Sequence, residues 1–147
     1  MRFQVWHAPL RLATGAFILN SGINKWKSGD DDVDKNIHSM AANAYPQLEP
    51  VDAKMFTKSL AGAEMALGTA LLTPFISPGL AGAALTAFSG GLVGMYLRTP
   101  GMRENGTIRP SQNGTAVAKD VWMLGIGTAL VLDAITSRAK RLIPGKK

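Results

Sequence analysis

From Met65 to Leu97 the chain carries no charged residue, a run of 33 positions bounded by Glu64 and Arg98. A hydrocarbon core takes about 20 apolar residues per helix. The run therefore supplies most of two spans. Thr73-Pro74-Phe75-Ile76-Ser77-Pro78-Gly79 interrupts it with two prolines and a glycine, the composition of a tight turn between antiparallel helices. This pattern predicts helices over approximately 55–73 and 78–97, the first opened by Asp52 as an N-cap. A weaker apolar stretch over 7–26 is flanked by Trp6 and Trp26, residue types that favour the headgroup level. Another covers 115–137, with Trp122 near its start.

Between the first two stretches the pattern changes. Asp30, Asp31 and Asp32 suit a helix N-terminus as caps and through the helix dipole. Val33, Ile37, Met40, Ala41 and Ala44 follow at helical spacing, and Tyr45-Pro46 ends the run. The prediction is a short amphipathic helix over 31–44, lying on a membrane or capping the bundle. The aspartates superficially suggest a calcium loop, but Lys35 stands where glycine is needed and Ala41 where glutamate is needed. The segment 99–114 is rich in turn residues, and its Asn-Gly-Thr triplets at Asn105 and Asn113 match only a cheap glycosylation pattern. The fold class expected is all-α: one integral membrane four-helix bundle with an interfacial helix between its first two spans.

Composition narrows the chemistry. The chain has no cysteine, which removes disulfides, thiolate metal sites and cysteine nucleophiles. Its 147 residues make one domain, and its net charge is +6. The bases are scattered without aromatic interleaving, so nucleic acid is not an expected partner. They cluster only at Arg138, Lys140, Arg141, Lys146 and Lys147, the flank expected on the cytoplasmic side of a span. Arg11, Asn20 and Ser21 make the N-terminal stretch a poor signal peptide, and it reads as a retained span. Tallies of basic residues on the two sides are close, and the dense, acid-free C-terminal cluster favours both termini inside.

Three ionisable residues fall within the predicted spans: Arg11, Glu64 and Asp133. Such groups are costly in a membrane and call for a partner or a function. Arg11 and Asp133 fall at similar depth and are expected to pair. Glu64 lies deeper, with Asn20, Asn24, Lys25 and Lys119 as candidate partners. Small residues recur every four positions on the third helix, at Gly82, Thr86, Gly90 and Gly94 and at Gly79, Ala83, Ala87 and Gly91. Gly62, Ala66 and Ala70 repeat this on the second. Helix packing explains such faces, with Gly82, Gly90 and Gly94 as its central positions, and a path for a small lipophilic molecule is the functional alternative. His7 and His38 are the two histidines, too few for bis-histidine haem ligation, and neither has convergent metal ligands in the sequence. No catalytic residue, cofactor or metal is expected.

The first stretch reads Arg11-x-x-x-Gly15-x-Phe17-Ile18-Leu19-x-x-Gly22-x-x-Lys25-Trp26, and the second Gly62-x-Glu64-x-x-Leu67-Gly68-x-x-Leu71-Leu72. The last opens Lys119-Asp120-Val121-Trp122-Met123-Leu124-Gly125. In this order they resemble the DoxX-like family of small bacterial four-helix membrane proteins. The long segment between the first two helices and the turn-rich loop depart from its shortest members. The resemblance implies a multi-pass protein of the bacterial cytoplasmic membrane, associated with redox or quinone-linked complexes. One branch is similar to a subunit of thiosulfate:quinone oxidoreductase. With no redox centre in the chain, the expected role is a non-catalytic accessory subunit of a respiratory or other membrane complex, with the bilayer and other membrane subunits as partners. The alternative is a small quinone-linked or lipid-handling membrane oxidoreductase subunit or carrier using Glu64 and Arg11.

Overall fold

A computed structural model of the chain describes residues 4–142, so Lys146 and Lys147 of the C-terminal basic cluster lie outside the described residues. The described chain is helical, with one isolated antiparallel bridge, Arg103 to Pro110, inside the loop before the last helices. Helix α1 covers His7–Ser28, α2 Asp31–Ala44, α3 Ala53–Leu72 and α4 Pro78–Arg98. The one-turn α5, Thr115–Ala118, precedes α6, Val121–Leu142. Two stretches, Pro78–Arg98 and Thr115–Lys140, are long and apolar enough to cross a membrane by length and composition.

Local chemistry sets the helix starts. The Asp30 carboxylate accepts a hydrogen bond from the Asp32 N–H at 2.9 Å, and the Asp52 carboxylate one from the Met55 N–H at 2.9 Å. Ser77 caps α4 through the Leu80 N–H, with Pro78 at the first helical position, where its missing N–H is not needed. The last stretch differs from the single helix expected over 115–137. It tightens at Lys119-Asp120, where Asp120 N bonds Val117 O at 3.0 Å and Trp122 N bonds Lys119 O at 3.1 Å. These three-residue bonds are those of a 3₁₀ turn. The break separates α5 from α6.

Two close helix pairs organise the fold: α1 lies along α3, and α4 along α6. The approach of α1 to α3 depends on Gly15, Gly22 and Gly68. A Cβ at Gly68 would stand 2.6 Å from the Leu19 backbone nitrogen, and one at Gly22 would stand 2.8 Å from the Ala61 oxygen. Gly82 and Gly127 do the same for α4 and α6, a Cβ on Gly82 falling 2.6 Å from the Leu130 Cβ. The pairs join through Ile18, Leu67, Leu71, Ala81, Leu85 and Met123. A second cluster, Tyr96, Met102 and Val117, anchors the 99–114 loop, and the Tyr96 hydroxyl donates to Ile108 O at 2.7 Å.

The small-residue faces divide rather than act together. Gly82 packs as expected, whereas Gly90 meets nothing within 4 Å and Gly94 lies under the Tyr45 hydroxyl. Gly90 is thus no packing glycine. Gly62 also faces open space and Ala66 is exposed, so the Gly62, Ala66, Ala70 column turns away from α1. The side of α3 that meets α1 includes Ala61, Glu64, Met65, Gly68, Leu71 and Leu72. On a helix whose residues are small on every side, four-residue spacing names several faces and selects none.

Candidate functional site

The two helix pairs leave a half-open cavity of about 590 Å³ at the end where α2 packs across α3 and α4. Ile37, Met40 and Ala41 of α2 line it, so the amphipathic helix takes the capping alternative. Its apolar face lies on the bundle because those side chains find protein there rather than water. Tyr45, at the C-terminal end of α2, fastens the lid by donating from its hydroxyl to Gly91 O at 2.8 Å. Arg98 stacks over the same ring at 5.1 Å. The lower wall is apolar, with Ile18, Leu60, Phe88, Leu92 and Met123.

Four charged residues reach this cavity. Lys25 of α1 donates to both Glu64 oxygens, at 3.0 and 2.9 Å, and to the Ser21 hydroxyl at 2.6 Å. Glu64 is 5 % exposed, so the ion pair sits at the inner wall. Of the four candidate partners, Lys25 is the one that binds the carboxylate. Lys119 lines the same cavity, with its ammonium 6.0 Å from the Phe17 ring, while Asn20 and Asn24 turn outward and are exposed. Asp120 enters beside Lys119 because the helix tightens there. Sequence reasoning missed Asp120, Tyr45 and Ser21 as cavity residues. The acid at the head of the last apolar stretch was the available signal.

Arg11 does not pair with Asp133. Arg11 is 4 % exposed, and its guanidinium donates to the carbonyls of Leu71 at 2.7 Å, Ala70 at 2.9 Å, Thr73 at 2.7 Å and Ile76 at 3.1 Å. Ala70 and Leu71 are in the last turn of α3, whose carbonyls have no partner within the helix, and Thr73 and Ile76 are in the turn after it; a cation there also meets the negative end of the helix dipole. Arg11 is thereby a cross-helix cap, with its donors directed at backbone. Asp133 instead lies 3.2 Å from His7 Nε2 and accepts from Gln4 Nε2 at 3.2 Å. His38 Nε2 lies 2.9 Å from Leu48 O. Among the described residues no three His, Asp or Glu side chains converge as metal ligands.

This arrangement makes a direct prediction. Arg11→Met strands several buried carbonyls and is expected to cost about 3 kcal/mol or more of stability. Asp133→Ala acts elsewhere. The double variant should equal the sum of the singles within about 0.5 kcal/mol, measured by denaturation in detergent; strong coupling would contradict the separate placements.

No protein-family model matches the chain, and neither the curated proteins nor the solved structures compared with it yield a match.

Proposed function

We propose that the chain is a four-span protein of the bacterial cytoplasmic membrane acting as a non-catalytic accessory subunit of a membrane complex, respiratory or otherwise redox-linked. The DoxX-like resemblance of its motifs supports the setting. The observation that carries the role is the outward face of α1. Asn20 and Asn24 are exposed there, one helical turn apart, and neither bonds another described side chain. Asn20 lies about 12 Å along the helix from its C-terminal end, within the depth a span would bury. An amide facing lipid lacks partners, and interhelical hydrogen bonds are how membrane proteins supply them. The exposed Ala63 and Ala66 on α3, with the half-buried Gly62 beside them where a Cβ would meet nothing within 4 Å, allow another helix to come close.

Membrane placement of α1 and α3 rests on their internal pairing. Hydropathy penalises Arg11, Lys25 and Glu64 singly, but Arg11 is satisfied by carbonyls and Lys25 by Glu64. At 22 and 20 residues both helices are long enough to cross. Both termini are placed in the cytoplasm, with α2 and the 99–114 loop outside. A reporter fused after Lys147 should be cytoplasmic and a tag near Gly106 accessible from outside; the reverse result would invert this topology.

The role is tested on native gels in mild detergent, with a photo-crosslinker at Asn20 and a control at the lipid-facing Leu132. The expected result is a stoichiometric complex crosslinked from Asn20 alone. Asn20→Leu with Asn24→Leu should release a lone chain with unchanged melting. A wild-type chain that runs alone would sink the accessory role.

The cavity favours a second reading, a lipid-handling or quinone-linked carrier using Glu64. Arg11, which directs four hydrogen bonds at backbone carbonyls and does not line the cavity, is not part of it.

A further inference from the structure

We infer that the cavity beneath α2 binds a membrane lipid whose head carries a primary ammonium beside a phosphate. The inference rests on the membrane placement proposed above and develops its lipid-handling alternative, but needs no partner subunit. A volume of about 590 Å³ falls in the range of small-ligand sites, about 300–1,000 Å³. Exposed Phe17, Ala87, Gly91 and Lys119 edge the opening, so the cavity is reached from outside the bundle.

The four charged residues select the head. Lys25 and Glu64 answer each other, and their hydrogen bonds are made within the chain. Lys119 and Asp120 differ: among the described residues neither is in an ion pair. They stand next to each other at the α5–α6 junction and face the same cavity with opposite charges. A zwitterion matches this arrangement. Its ammonium N–H groups donate to the Asp120 carboxylate, and its phosphate accepts from the Lys119 ammonium, both as charge-assisted bonds. A purely anionic or cationic head would meet one of the two charges with repulsion.

Depth agrees with this assignment. Asp120 is two residues from Trp122, and Lys25 adjoins Trp26, residues that favour the headgroup level. A head placed there leaves an acyl chain to run inward along Phe17, Ile18, Leu60 and Phe88.

Native mass spectrometry of the purified chain tests the inference. The chain is offered equimolar phosphatidylethanolamine and phosphatidylcholine, which differ in that the methylated head has no N–H to donate. One retained lipid per chain is expected, with the ethanolamine lipid preferred about tenfold, as the loss of one charge-assisted bond implies. Asp120→Ala, which leaves no side-chain acceptor, should bring the two lipids close to equal. Gly91→Leu, whose Cβ meets no atom within 4 Å, should displace both while the helical signal is kept. Equal retention by the wild type overturns the inference without use of any variant. So does preference for an anionic lipid, or retention of a quinol in place of phospholipid. A chain absent from the membrane fraction would instead refute the membrane placement.

Discussion

Gly68→Val is expected to abolish the native pairing of α1 with α3, lowering stability by about 3 kcal/mol or more. The reason is the identity of the obstructing atoms. A Cβ at position 68 would meet Leu19 N at 2.6 Å, Leu19 Cβ at 2.7 Å and Leu19 Cα at 2.8 Å. Two of these are backbone atoms of a helix, which cannot rotate aside as a side-chain tip does. The helices must separate, and separation draws Lys25 from Glu64 and Arg11 from the α3 carbonyls at the same time. Gly62→Val, six residues earlier on the same helix, supplies the control. It meets no atom within 4 Å and should change stability by no more than about 0.5 kcal/mol. Chemical denaturation in detergent, followed by circular dichroism, reads both. Equal effects of the two valines would show that α1 and α3 do not approach as described.

The second large effect concerns the ion pair. Lys25→Met leaves the Glu64 carboxylate buried without its cation, a change that costs about 3–5 kcal/mol for buried pairs. Glu64→Gln is milder, because the amide oxygen still accepts from Lys25 and the freed lysine is 22 % exposed. The double variant Lys25→Met with Glu64→Leu should recover much of the loss, since no lone charge remains. Additivity in that cycle would mean that the two residues act independently. The same variants bear on function. An accessory subunit keeps its host complex assembled and active with Glu64→Gln, whereas a proton- or quinone-handling site loses activity when the ionisable group is removed. An intact but inactive Glu64→Gln complex would overturn the accessory role.

Helix positions as far as Arg98 were legible in the sequence because their causes are local, whereas the break at Lys119-Asp120 was not. Asp30, Asp52 and Ser77-Pro78 cap helices through groups within three residues, and Tyr45-Pro46 ends α2 in the same way. The amphipathic character of α2 was equally local, since a narrow apolar face between aspartates and a proline has one reading. The presence of ionisable groups at Arg11, Glu64 and Asp133 was also plain from their apolar neighbours.

Which partner each of those groups finds was decided by tertiary structure. Arg11 and Asp133 were expected at a similar depth, but position along a helix leaves rotation about its axis free, and α1 turns Arg11 toward the end of α3. Backbone carbonyls, the acceptors it reaches there, are invisible to any pattern of side chains. Rotation likewise brought Lys25 rather than Asn20 to Glu64 and sent Asn20 outward. The glycine columns of α4 show the same limit. Gly82 is closed by Leu130 and Gly127 of α6, whereas a Cβ at Gly90, two turns further along the same column, would meet nothing within 4 Å. A cavity is a property of how helices diverge. No single helix encodes it, although each residue that lines this one is placed by its own helix.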